Sequence, residues 1–469
     1  MKLFRRRRPR RPVVIIGVDG LPFSLARRLA GNVTDGKTAN RTQKTGQASL
    51  PVSPAGLPAF RRLFTEGMAV AGTSSVPPVS CTAWTSAASG RNPARHGVFG
   101  FLELKHGSYE GFIPMAPHVR CSRLWNATAA AGLRAVVLGV PVTYPPERFP
   151  GLHVSGFLAP DLAKAVHPPD RLAPLARAGY TLDVDPRIGH QDKRALLAAI
   201  RKTLAARADV ILACLAAEKP DLLFAHIIET DRLNHFLFDA IETGQGDLAA
   251  EALDVYRQVD DLLGHLADAL EGAPLIVCSD HGFCTVRKLV QVNDVLAGIG
   301  WAAWGEGTTH ADISPDARAF SLDPGRVYIH TSSRYPRGPI ADADRDRLAE
   351  RLRDELAQAM IDSETGEPVF EAIHTRHDVF SGPLIGLAPD LVIIPRRGYD
   401  LKGALPGMGS SQPGALSGMH TYDDAFFGVL GCRITVEQSN VMDLAPSVLH
   451  LLGIEPEPDT DGRVILSAD

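Results

Sequence analysis

An aspartate and a histidine stand side by side in Cys278-Ser279-Asp280-His281-Gly282-Phe283, directly after the apolar run Pro274-Leu275-Ile276-Val277. A buried strand that stops there carries a carboxylate and an imidazole at its carboxyl end, where open α/β sheets build their sites. Two further segments repeat the arrangement. In Val13-Val14-Ile15-Ile16-Gly17-Val18-Asp19-Gly20 an apolar strand runs into Asp19, and Gly20 permits a tight turn. In Asp221-Leu222-Leu223-Phe224-Ala225-His226-Ile227-Ile228-Glu229-Thr230-Asp231 the strand is followed by His235. Asp231 and His235, at i and i+4, share one face of a helical turn and can reach one ion. Carboxylate mixed with imidazole, without clustered cysteine, suits zinc or manganese better than calcium. Taken singly, Asp19 also fits a turn residue and Asp231 a helix N-cap. Three strand ends delivering such groups to one sheet edge favour the joint reading.

Residues 76–101 supply hydroxyls. Ser80 and Thr82 follow a proline-rich apolar lead-in and precede a helix-compatible stretch, residues 83–89, closed by Gly90. A hydroxyl at a helix N-terminus sits beside free N–H groups and the positive end of the dipole, a setting that suits an alkoxide nucleophile and a transferring phosphoryl group. The same pattern also describes an ordinary serine N-cap.

With these residues in view, the chain resembles the type I phosphodiesterase/nucleotide pyrophosphatase branch of the alkaline phosphatase superfamily. The resemblance rests on Val18-Asp19-Gly20, Ser80 ten residues before Gly90, Pro93 to His96-Gly97, Asp231-x-x-x-His235, Ser279-Asp280-His281-Gly282 and Gly418-Met419-His420. The ending Asp443-Leu-Ala-Pro446-Ser-Val-Leu-His-Leu-Leu-Gly453-Ile, with Asp461-Gly462 after it, looks like the closing helix of that family. The resemblance implies two divalent metal ions, zinc first and manganese as the alternative. One ion would take Asp231, His235 and His420, and the other Asp19, Asp280, His281 and the Ser80 oxygen. Ser80 falls on the nucleophile position, where many relatives carry threonine; Thr82 is the competing assignment. His96 and His226 match no ligand position and are expected to be structural or to orient ligands. A serine hydroxyl needs activation to attack at neutral pH, and a metal pair provides it without a separate protein base. The expected cycle has two in-line displacements through a phosphoseryl intermediate.

Two departures bear on substrate. Relatives that act on nucleotides place an asparagine a few residues after His-Gly to hold a phosphate oxygen, and this chain has Phe101 there. A sulfatase would need an arginine where Cys81-Thr82-Ala83-Trp84-Thr85 offers Thr85. The expected activity is therefore hydrolysis of a small-molecule phosphodiester or pyrophosphate. A phosphomonoesterase or phosphomutase is the nearest rival, and a binding protein that has lost its chemistry is the rival of another class.

A chain of 469 residues is long enough for a large core with an inserted subdomain. Its formal net charge of -4 gives no electrostatic case for general nucleic-acid binding. The six cysteines lack zinc-finger spacing and several sit in apolar segments, which favours a reduced, cytoplasmic setting. The basic run Arg5 to Arg11 precedes an apolar stretch that Asp19 interrupts too soon for an export signal, and no apolar run reaches the roughly 18 residues of a membrane span.

Helical periodicity in 57–66, 122–132, 192–217 and 246–270, alternating with apolar strands such as 134–140, predicts an α/β fold with a doubly wound, mostly parallel sheet. The expected organisation is a basic tail (1–12), a catalytic core (13–284) with a mobile insertion at 31–55, an inserted α+β cap (285–387), and a return to the core (388–469). The cap is expected to contain a strand at 326–330 and a charged helix at 342–360, and 389–394 is expected to rejoin the core.

Overall fold

The computed structural model describes residues 11–31, 56–307, 309–405 and 414–468. The basic run through residue 10 and nearly all of the expected 31–55 insertion lie outside the described residues.

Val13–Val18, six apolar residues without an interrupting charge, can be satisfied only by burial on both faces, and all six are buried. This strand is β1 of a nine-stranded central sheet. The others, in chain order, are β2 (Met68–Thr73), β3 (Ala135–Leu138), β4 (Gly151–Val154), β5 (Val166–His167), β6 (Leu222–Ile227), β7 (Leu275–Cys278), β8 (Ala425–Leu430) and β9 (Gln438–Asn440). Their spatial order is β9-β2-β8-β7-β1-β6-β3-β4-β5. Strands β7, β1, β6, β3 and β4 are parallel, while β8 and β5 pair antiparallel with their neighbours. The doubly wound, mostly parallel expectation holds.

Alternation along β1 divides the core. Val14, Ile16 and Val18 face one apolar layer with helices Lys193–Glu218 and Ala249–Ala269; Val13 and Ile15 face another with Trp84 and Trp125. The first of these helices begins where the Asp192 carboxylate accepts from the N–H groups of Arg194 and Ala195, 2.8 and 3.1 Å away.

Register positions the site. Val18 of β1 lies opposite Ile227 of β6, and Gly17 lies opposite Cys278 of β7. Asp19, Asp231 and the Asp280-His281 pair therefore leave neighbouring strands at the same edge. Downstream, Gly282–Thr285 pairs antiparallel with Gly418–Thr421, placing Phe283 opposite His420. That short ladder carries a histidine far along the chain back to His281.

Beyond the core, Ala319–Leu322, Arg326–Ile329, Leu391–Pro395 and Phe370–Thr375 form, in that order, a four-stranded antiparallel sheet. Leu352 and Leu356 of helix Arg345–Ala359 pack with Val327, Ile329 and Ile393 of this sheet. One expectation needs correction. Residues 389–394 do not join the central sheet: Leu391–Pro395 pairs with Arg326–Ile329 and Phe370–Thr375 of the four-stranded sheet, and the chain comes back beside the site at Gly418. An apolar run specifies a buried strand but not its partners, and here the partners with complementary edges lie in the four-stranded sheet. No helix among the described residues is long and apolar enough to cross a membrane.

The Ser80–Ser89 helix packs directly on β1 through Trp84. A Cβ added at Gly17 would lie 2.5 Å from the Trp84 ring, which is fully buried. Gly17→Ala is expected to destabilise the fold by about 1–3 kcal/mol through overpacking. A chemical-denaturation midpoint equal to that of the wild type would contradict this packing.

Candidate active site

Ser80 is the first residue of the Ser80–Ser89 helix, preceded by extended Val79 and closed by Gly90 in the left-handed region at φ 69°. The helix starts a turn earlier than the sequence pattern indicates, because the Val79 carbonyl accepts from the Ala83 N–H at 2.8 Å. Ser80 lines a cavity of about 530 Å³, whereas Thr82 is fully buried and its hydroxyl has no hydrogen-bond partner. Of the two candidate hydroxyls, Ser80 is the one that a substrate can reach.

Its oxygen lies 3.4 Å from both Asp19 Oδ1 and His281 Nε2. Asp19 is held through its other oxygen: Trp84 Nε1 donates to Oδ2 at 2.9 Å, and His226 Nε2 lies 2.7 Å from the same atom. The clamp leaves Oδ1 turned toward Ser80. His226 thus orients a carboxylate, as its failure to match a ligand position suggested; the part played by Trp84 has no signature in the sequence. Trp84→Phe keeps the ring and removes the N–H. It is expected to weaken binding of a divalent ion at Asp19 by about tenfold, read by competition with a chromogenic chelator; unchanged affinity would mean the clamp is idle.

Asp280 Oδ1 accepts from the Gly20 N–H at 3.1 Å, while the equally buried Oδ2 has no hydrogen-bond partner. Burial, reinforced by the nearby Asp19, pushes this carboxyl well above its ordinary range. His281 Nδ1 lies 3.1 Å from the Gly282 carbonyl, and its Nε2 lies 3.2 Å from Asp280 Oδ2 and 3.6 Å from Asp19 Oδ1. Burial, and then His420, depress this imidazole to about 3, so its nitrogen lone pair is available at neutral pH.

The second group repeats the design. His235 Nδ1 lies 3.1 Å from the Gly418 carbonyl and His420 Nδ1 lies 3.0 Å from the Pro78 carbonyl. Each ring therefore donates from Nδ1 and turns its Nε2 inward. The two Nε2 atoms are 3.0 Å apart, and Asp231 Oδ1 lies 3.4 and 3.2 Å from them. Asp231 holds the His420 imidazole above its ordinary range despite its burial, so the two nitrogens and the carboxylate oxygen are joined by a proton or by a metal ion. The orphaned Asp280 oxygen makes the same demand in the first group. Both donor sets, Asp19/Asp280/His281 and Asp231/His235/His420, fit a divalent metal.

The structure thus brings together all seven candidate residues predicted from the sequence. His96 is elsewhere: its Nδ1 accepts from the Val98 N–H and its Nε2 meets Ser86 Oγ at 2.9 Å, a buried structural role. Sequence reasoning missed Arg232. Its guanidinium grips Asp183, with Nη2 2.7 Å from Oδ2, and reaches Asp231 Oδ2 at 3.0 Å, leaving Oδ1 to face the histidines. The signal available was an arginine directly after the ligand-bearing Asp231, too common a pair to single out. Asn234, also missed, donates to the Gly20 carbonyl at 2.9 Å and accepts from Tyr256, tying the β1 turn to the helix that carries Asp231 and His235.

A mostly parallel α/β sheet thus carries two carboxylate–imidazole groups at its edge, with a serine at a helix N-terminus beside them. The chain belongs to the type I phosphodiesterase/nucleotide pyrophosphatase family, which matches residues 49–423. That span includes every candidate residue except Asp19. It is an enzyme of the phosphodiesterase and pyrophosphatase kind. Among solved structures it is similar to murine ectonucleotide pyrophosphatase/phosphodiesterase 5, with 15% identity, TM-score 0.57, and coverage of 97% of this chain and 100% of that one. An inactive threonine-to-alanine variant of the murine protein in complex with AMP matches equally well. Phosphonoacetate hydrolase from Sinorhizobium meliloti, in complex with phosphonoacetate, shares 16% identity with TM-score 0.61 over 94% of this chain and 96% of that one. No curated protein sequence matches significantly.

Proposed function

We propose that this enzyme cleaves small phosphodiesters or pyrophosphates through a phosphoseryl intermediate on Ser80, with two divalent ions held by Asp19, Asp280 and His281 and by Asp231, His235 and His420. Zinc is the expected ion, with manganese as the alternative. The observation that carries the reading is the Ser80 oxygen, 3.4 Å from both Asp19 Oδ1 and His281 Nε2 at the N-terminus of a ten-residue helix. When bound, the metals would supply Lewis-acid activation and charge neutralisation at phosphorus.

The chain's own residues account for the rest. The first-turn N–H groups of the Ser80–Ser89 helix favour the negative charge of a transferring phosphoryl group. Ser80 Oγ gives its proton to solvent water and bonds to phosphorus as the ester oxygen departs with its electron pair. Water then attacks phosphorus, the P–Oγ bond breaks, and Ser80 regains its proton. Trp84 and His226 keep Asp19 oriented through both steps.

The division of the chain follows the same reading. We assign 13–284 and the segment from Gly418 onward to the catalytic core, and the intervening four-stranded sheet to a cap over the cavity. The six cysteines, five of them buried, form no disulfide among the described residues, which supports a cytoplasmic location. The test is a panel of 4-nitrophenyl phosphate mono- and diesters with protein depleted of metal and then reloaded with zinc or manganese. Diester hydrolysis that needs the added ion is the expected result. A preference for monoesters, or turnover in the metal-depleted protein, would overturn the assignment.

A further inference from the structure

The cavity beside Ser80 is lined by the reactive polar groups and by a larger share of apolar side chains. The polar groups are those of Ser80, Asp231, His235 and His420. The remaining wall includes Phe101, Phe157, Leu158, Pro324 and Pro395, together with the exposed carboxylate of Asp323. Its volume, about 530 Å³, falls within the range of small-molecule sites. Phe101 leaves 43% of its surface exposed here. An exposed ring lining a cavity gains free energy when an apolar group covers it.

The two basic side chains of the wall, Arg232 and Lys402, are already paired with carboxylates. Arg232 is tied to Asp183 and Asp231, and its guanidinium lies 5.2 Å from the centre of the Phe157 ring. Lys402 Nζ is 2.8 Å from Asp400 Oδ2. A second or third phosphate extending from the reacting one would therefore meet hydrocarbon or a neutralised ion pair, and would lose hydration without compensation. The wall accepts a long alkyl group far better than a polyphosphate.

Resting on the hydrolytic reading above, we infer that the substrate is a phosphodiester with a single phosphoryl centre whose alcohol carries an elongated alkyl chain. The chain lies along Phe101, Phe157, Leu158 and Pro395 while the phosphoryl group sits at Ser80. The cap strand Leu391–Pro395 supplies part of this wall, so its place in the cap sheet is also what shapes specificity.

The experiment has two arms on the full-length, metal-loaded protein. In the first, alkyl 4-nitrophenyl phosphates from methyl to octyl are compared with thymidine 5′-(4-nitrophenyl phosphate). With partial burial of each added CH₂, kcat/KM is expected to rise about twofold per carbon, roughly a hundredfold over the series, and to exceed that of the nucleotide ester. Phe101→Ala should flatten the octyl-to-methyl ratio. In the second arm, calorimetry compares binding of octylphosphonate and methylphosphonate; tighter octylphosphonate binding with a negative heat-capacity change is expected. Equal affinities, or a nucleotide ester hydrolysed best, would overturn the inference. Chain-length-dependent binding without turnover of any ester would sustain the apolar site and overturn the proposed hydrolysis instead.

Discussion

Ser80→Ala is expected to lower phosphodiester turnover by about a thousandfold or more, while metal content and melting temperature stay close to the wild type. The hydroxyl oxygen forms the bond to phosphorus, so its loss removes the first displacement. Metal affinity, by contrast, resides in three carboxylates and three imidazoles that the substitution leaves in place. The helix should also persist, since Val79 rather than the Ser80 side chain provides its first carbonyl, and no side-chain cap is lost. Ser80→Thr preserves the oxygen and adds one methyl group beside the open cavity, so partial activity is expected. Thr82→Ala removes a buried hydroxyl without a partner and should have a smaller effect on rate. Rapid acid quench followed by peptide mapping would locate the phosphorylated residue. Phosphate on Thr82, or near wild-type turnover by Ser80→Ala, would sink the assignment.

The second large effect concerns the metals. Removal of both ions by a chelator should abolish turnover and lower the melting temperature together. Three buried carboxylates, Asp19, Asp231 and Asp280, then face one another without a cation. An ion present at about a thousand times its Kd stabilises the folded state by about 4 kcal/mol, so the change in melting temperature should be plain. Asp280→Asn is expected to remove most of that increment at one site and leave the other. Asp280 Oδ2 has no hydrogen-bond partner within the protein, whereas the Asp231/His235/His420 group is carried by other elements and keeps its own anchors. Elemental analysis should give about one ion per chain in the variant against two in the wild type. Retention of both ions, or a melting temperature indifferent to chelation, would count against the two-site reading.

Much of the site was legible because strand-end chemistry is local. Asp19, Asp231 and Asp280-His281 each lie within a few residues of the carboxyl end of a buried strand, and parallel strands of matched register must bring such ends to one edge. His235 was legible through helical spacing from Asp231. His420 was not: it lies on a strand that reaches the site by antiparallel pairing with Gly282–Thr285, far along the chain, and family resemblance rather than periodicity pointed to it.

What the amino-acid sequence determined by itself is therefore the α/β class, the strand-end ligands and a hydroxyl at a helix start, all of which depend on near neighbours along the chain. Three things only the tertiary structure decided. Ser80 opens to the cavity while Thr82 turns inward, because the helix begins at Ser80 and packs on β1 through Trp84. Trp84, His226 and Arg232 hold the carboxylates in place through contacts as distant as His226 to Asp19, separated by 207 positions. Leu391–Pro395 joins the four-stranded sheet rather than the central one because an apolar strand has no preference among edges until competing partners are positioned. Short-range pattern specifies which side chains are available; which of them meet is settled by packing between segments far apart in the chain.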